Sequence, residues 1–175
     1  MQPETLVDLP EIEYLDGQPY PKVSSKLTHS LVQGALVRIL YRCAGKRGRV
    51  GPELDVYPGP AGAGLTKFVP DVAYVSMERL RALSAVDREE PPFSPDIAVE
   101  VWSPTNDRRY LDLKIARYLA TGALLVLDVD PYARTIVAHD CSAVCTYKTG
   151  ELFVHPALPW LRFEIAEAFA DLDDE

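Results

Sequence analysis

A chain of 175 residues, 47% apolar and 25% charged, is long enough to bury one core and has the make-up of an ordinary globular domain. No apolar run approaches the roughly 20 residues needed to span a bilayer, and the acidic opening MQPETLVDLPEIEYLDG lacks the basic-then-apolar order of a secretion leader. Cys43, Cys141 and Cys145 are an odd number with no CxxC spacing, which fits a reducing cytoplasm better than a disulfide scaffold. A zinc site from Cys141, Cys145 and His139 or His155 is weighed and set aside.

The net charge of −8 speaks at first against a nucleic-acid partner. It is carried by the ends. Residues 1–16 hold five acids and no base, residues 164–175 hold six acids and no base, and between them 15 acids face 18 bases. Residues 17–52 carry seven bases (Lys22, Lys26, Arg38, Arg42, Lys46, Arg47 and Arg49) and no acid. Such a segment suits phosphate, with Arg38, Arg42, Lys46, Arg47 and Arg49 as the candidate nucleic-acid contacts; the plainer reading is a solvated helix and turn.

In chain order, SLVQGALVRILYRCAG (30–45) repeats apolar residues at helical spacing, with Thr28 or Ser30 as caps and Gly45 as the stop. RVGPELDVYPG alternates Glu53 and Asp55 with Leu54 and Val56, which predicts a strand with one polar face. GPAGAGLT is a loop, FVPDVAYVS a strand entered at Pro70, and MERLRALSAVDREEPPF a short helix with a charged connector. PDIAVEVWSPTNDRRYLDLKIARYLATGALLVLDVDP supplies a strand over 96–102, a helix over about 106–121 stopped by Gly122, and a buried strand over 123–129. ARTIVAHD, AVCTYKTG and ELFVH read as further strands, and LRFEIAEAFADL as a strand or short helix. The order predicts one α/β domain over 1–175, with a core of about 22–140 in which strand, helix and strand make a parallel crossover.

Two acids in the strand 96–102 need compensation, because a buried lone carboxylate costs several kcal/mol (about that order). Asp96 and Glu100 share a face but lie roughly 13 Å apart at about 3.3 Å per residue. If the strands 71–76 and 96–102 are antiparallel neighbours, Asp71 lands beside Glu100 and Asp96 falls at the far end. The helix runs back along its strand, and Lys114 lies roughly 12 Å down the axis at about 1.5 Å per residue, level with Glu100. Asp71 and Glu100 would then hold Mg²⁺, with Lys114 orienting or deprotonating a water. The plainer alternative is an ion pair of Lys114 with Glu100 or Asp112, and turn-capping roles for Asp71 and Asp96.

FVPDVAYVS followed by PDIAVEVWSPTNDRRYLDLKIARYLATGALLVLDVDP resembles the Uma-two family of restriction endonucleases, formerly a domain of unknown function, within the PD-(D/E)XK nuclease superfamily. EIEYLDGQPYPKVSSKLTHS, with His29 leading a helix, is similar to that family's entry, so the likeness covers most of residues 11–140. It implies a restriction-endonuclease-like fold, a mixed sheet flanked by helices in the order α-β-β-β-α-β with extra C-terminal strands. It also implies metal-dependent phosphodiester hydrolysis, with Asp71, Glu100 and Lys114 as catalytic residues, Asp71 and Glu100 as ligands of Mg²⁺ or Mn²⁺, and Glu53, Asp96 and His29 as possible additions. Trp102 stands where the superfamily's E-x-K motif has its lysine, and Lys114 on the helix takes that place. DNA is the implied partner, in a cytoplasmic protein without a membrane segment, and the many sheet edges suggest a homodimer. The alternative is a catalytically silent nucleic-acid-binding or protein-interaction module. GPAGAGLTK lacks the Lys-Ser/Thr of a phosphate loop, and neither a GxSxG elbow nor a dinucleotide fingerprint is present.

Overall fold

The computed structural model describes residues 11–22, 26–59 and 64–173. The expectations for the remaining positions, including residues 1–10 of the acidic N-terminal stretch and the last two residues of the acidic C-terminal one, lie outside the described residues. A hairpin, β1 (Ile12–Leu15) and β2 (Gln18–Pro21), precedes the long helix α1 (Leu27–Ala44). Strands β3 (Gly48–Pro52) and β4 (Val72–Ser76) follow, then the short helices α2 (Met77–Ala82) and α3 (Ala85–Glu89). Strand β5 (Ile97–Val101), helix α4 (Arg108–Ala120) and strand β6 (Leu125–Asp130) form the crossover, and β7 (Thr135–His139) and β8 (Val144–Lys148) complete a six-stranded sheet. A small pair, β9 (Leu152–Phe153) and β10 (Phe163–Glu164), and two 3-10 turns end the chain.

Strands β3 to β8 lie side by side in chain order; only β5 and β6 are parallel, the pair joined through α4. The predicted α-β-β-β-α-β core is present as α1-β3-β4-β5-α4-β6. Successive strand residues alternate faces, so the sheet has two cores. On one face Val32, Leu36, Ile39 and Leu40 of α1 meet Val72, Ile97, Val99 and Leu127, with Phe153, Leu161 and Phe169 covering the rest. On the other, Leu111, Ile115 and Tyr118 of α4 meet Ala98, Val126 and Phe68. Each large side chain so buried contributes about 1.5–3 kcal/mol.

Several expectations shift in detail. Helix α1 begins at Leu27 with Lys26 as its cap and no side-chain cap bond, so Thr28 and Ser30 fall in the first turn. Gly45 ends it as expected, at φ 55°, donating to the Tyr41 carbonyl. The strand expected over 49–59 stops at Pro52, because Glu53 turns to φ 50° and the chain leaves the sheet. The N-terminal acidic stretch is not all tail. Asp16 at φ 50° and Gly17 at φ 82° make the two-residue turn that closes the β1–β2 hairpin. Tyr14 bridges Lys67 and lays that hairpin against the body of the fold. Among the described residues no helix is long and apolar enough to cross a membrane.

Candidate active site

Antiparallel β4 and β5 pair Val72 with Val99, so Asp71, one residue before β4, comes opposite Glu100. The Val101 amide donates to Asp71 Oδ2 at 2.7 Å and confirms that register at the strand end. Both side chains lie on the α4 face. Helix α4 starts where Asp107 accepts from the Arg109 amide and runs back over β5, which brings Lys114 onto Glu100. Its Nζ lies 2.9 Å from each Glu100 oxygen. Asp71, Glu100 and Lys114, placed together by strand and helix rise alone, are together in the structure.

They line a cleft of about 290 Å³ whose wall also includes Glu13, Lys22, Lys26, His29, Ser103 and Tyr110. His29, on the first turn of α1, places Nε2 3.1 Å from Asp71 Oδ2, while its buried Nδ1 has no partner among the described residues. Gln33 on the next turn donates to the Asp71 carbonyl at 2.8 Å. The Lys22 ammonium donates to the Val69 carbonyl at 3.0 Å and stands 3.5 Å from Asp71 Oδ1. Glu53 is half exposed and, among the described residues, its carboxylate reaches only Lys22, at 4.0 Å.

Other expected residues are elsewhere. Asp96 lies at the opposite end of β5, accepting from the Ser76 amide at 2.7 Å and facing Arg79 at 3.5 Å. The five bases Arg38, Arg42, Lys46, Arg47 and Arg49 do not line the cleft. Arg42 sits 13 residues beyond His29, about 20 Å along α1 at about 1.5 Å per residue. It pairs with Glu167 at 2.7 Å, and Arg38 pairs with Asp171 at 2.5 Å. Of the basic segment, Lys22 and Lys26 reach the cleft. Among the described residues no three His, Cys, Asp or Glu side chains form a metal-holding group, and His155 is instead bound to Asp140.

Sequence reasoning missed three residues here. Glu13 on β1, only 3% exposed, accepts from Lys114 at 2.7 Å, the Val69 amide at 2.8 Å and the Tyr110 hydroxyl at 3.2 Å. Tyr118, on the apolar stripe of α4, donates to Glu100 Oε1 at 2.8 Å. Tyr110 stacks on Tyr20 of β2 with centroids 3.9 Å apart. The Asp16-Gly17 turn signal would have exposed the hairpin that brings Glu13 and Tyr20 in.

The electrostatics follow from these contacts. Burial pushes Asp71 up, but the His29 hydrogen bond and charge, the Lys22 ammonium and the Val101 amide hold it below the ordinary carboxylate value. Burial pushes Glu100 up to about 7; Lys114 opposes this, while the charges of Asp71 and Glu13 add to it. Burial pulls Lys114 down, yet Glu100 and Glu13 together hold it above its usual value. The lysine answers to two carboxylates, whereas Glu100 answers to one ammonium and two like charges. Burial and Glu100 also push the Tyr118 hydroxyl well up, so it remains a donor. Two facing carboxylates beside a polar cleft match what Mg²⁺ takes from a protein, one or two carboxylates with water completing the shell.

Among solved structures, a DUF820 protein from Anabaena variabilis ATCC 29413, described as a putative nuclease, superposes with a TM-score of 0.80 at 20% sequence identity, over 92% of this chain and 90% of that one. At that identity the likeness establishes the fold, a restriction-endonuclease-like mixed sheet flanked by helices. No curated protein matches the chain. The model of the Uma2 family, described as "Putative restriction endonuclease", matches residues 3–166, and the chain belongs to that family.

Proposed function

We propose that this protein is a metal-dependent nuclease that hydrolyses phosphodiester bonds of DNA, using Mg²⁺ or Mn²⁺ held by Asp71 and Glu100. The observation that carries the reading is the cross-strand placement of Asp71 and Glu100 with Lys114 on the second carboxylate, all opening onto one cleft. The family's description and that of the DUF820 neighbour support it. A bound divalent cation would supply Lewis acidity toward a phosphate oxygen and lower the pKa of a water.

The chain's own residues divide the remaining work. Asp71, kept ionised by His29 and Lys22, is ready to bind a cation. Glu100 must give up a proton near pH 7 to do the same. Lys114, held charged, serves as a donor that orients water and stabilises negative charge building on the phosphate, not as a base. His29 fixes the Asp71 carboxylate, and Lys22 and Lys26 offer charge to flanking phosphates. Glu53 and Asp96 are left out of this assignment by their positions. Three free thiols support a reducing, cytoplasmic setting, and the exposed edge strand β8 offers a surface for pairing two copies.

The test is nicking of plasmid and single-stranded DNA with Mn²⁺, wild type beside Glu100→Gln prepared identically. Cleavage by wild type alone supports the reading, and cleavage by both exposes a contaminant. A second reading, a silent binding module on the nuclease fold, draws on the fact that Asp71 is already met by His29 and Lys22, and Glu100 by Lys114. No cleavage of any substrate by wild type favours that module.

A further inference from the structure

Glu13 is buried on the β1–β2 hairpin, outside the sheet and helix that carry Asp71, Glu100 and Lys114. Its Oε1 accepts from the Val69 amide and from Lys114, and its Oε2 accepts from Tyr110. A buried ion pair is a weak source of stability, since desolvation offsets the attraction and apolar side chains of similar volume commonly do as well. What this pair supplies is direction. An ammonium has three N–H donors. One goes to Glu13, one is shared by the two oxygens of Glu100, and among the described residues no acceptor takes the third, although Lys114 lines the cleft. A carboxylate that also binds a cation has fewer lone pairs left for a lysine, whereas Glu13 has no such second duty.

We infer that Glu13 is a positioning residue: it fixes the Lys114 ammonium beside Glu100 with one donor toward the cleft, which makes the β1–β2 hairpin part of the catalytic unit. The consequence for rate rests on the nuclease reading above; the consequence for the lysine does not. Glu13→Gln keeps the side chain's shape and removes its charge. In protein labelled with ¹³C at lysine Cε, six lysines give the signals, and Lys114 is the one lost in Lys114→Met. At one fixed pH below 7, Glu13→Gln should shift and broaden the Lys114 signal and leave the other signals in place. At about pH 8, where Glu100 is already ionised, calorimetric Mg²⁺ affinity should stay within about twofold, while kcat falls about 10–100-fold at unchanged KM, the range typical of groups that orient the residues of a metal site.

In a Lys114→Met background the same substitution should cost no further rate, because no ammonium remains to be held. Glu13→Asp retains the charge and should recover part of the lost rate. An unmoved Lys114 signal overturns the proposal, as does an equal loss of rate in both backgrounds. Loss of Mg²⁺ affinity in step with rate also overturns it, since Glu13 would then be a ligand. If Glu13→Gln does not fold, Glu13→Asp is read by the same signal, and a Lys114 resonance identical to wild type with reduced kcat counts against the proposal. A wild type that cleaves nothing sinks the nuclease reading and leaves the lysine signal to decide this one.

Discussion

Removing the Lys114 charge isolates the electrostatics of the site in a single measurement. In Lys114→Met, Glu100 and Glu13 stay buried without their shared cation, and breaking a buried pair in this way costs about 3–5 kcal/mol once the stranded group is ionised. The cost depends on pH because Glu100 can escape it by taking up a proton. In wild type, burial holds Glu100 at about 7 against an ordinary 4.5. The folded state therefore binds more protons than the unfolded state between those two values. Stability falls across that window as pH rises, by about 1.4 kcal/mol per pH unit and ~3 kcal/mol in all, and above it this group adds no further slope.

Without Lys114 the one charge that lowers Glu100 is gone, so its folded pKa moves above 7 and the decline continues where wild type has levelled off. The difference between the two proteins should accordingly widen by roughly 2 kcal/mol from about pH 6 to about pH 8.5, at about 1.4 kcal/mol per pH unit above 7. Urea unfolding followed by the fluorescence of Trp102 and Trp160, with chelator present, measures it at each pH. A destabilisation that is constant over that range refutes the reasoning, for it would mean that Glu100 does not titrate against Lys114.

The same carboxylate governs metal affinity: wild-type Mn²⁺ binding by calorimetry should strengthen about tenfold per pH unit below 7 and level off above it, and Asp71→Asn should abolish binding; affinity flat from about pH 6 to 8 contradicts this. Asp96→Asn should leave Mn²⁺ binding unchanged and cost about 1–2 kcal/mol in urea unfolding, as the Ser76 amide and Arg79 lose a charged acceptor. Gly48→Ala should cost about 1–3 kcal/mol by overpacking, because a Cβ there would lie 2.3 Å from the Val75 carbonyl oxygen and 2.4 Å from the Tyr74 ring. A melting temperature equal to wild type would show that β3 and β4 pack less closely.

The parts of the site that depend on fixed rises were legible in the sequence. An antiparallel partner for β5 puts Asp71 beside Glu100 whatever the side chains are, and a helix returning over its own strand puts Lys114 level with Glu100. Charge along the chain misled because the chain turns. The basic segment looks like one surface, but α1 is about 27 Å long at about 1.5 Å per residue, so Lys22 and Lys26 stand at the cleft while Arg38 and Arg42 meet the C-terminal acids. Glu53 was placed by alternation, which holds only while φ stays extended, and at φ 50° it leaves the strand.

Glu13 was hidden for a different reason. Its partner Lys114 is 101 residues away, and nothing local marks an acid on a short strand as buried. The sign lay in Lys114 itself. A lysine next to an apolar stripe reads as a side chain reaching for water, yet this one is 3% exposed. A lysine buried to that degree beside only one carboxylate would be poorly compensated when that carboxylate carries a proton or binds a cation. A second acid was thus required by the same desolvation cost that first drew attention to Glu100, and the two-residue Asp-Gly turn identifies the hairpin that supplies it.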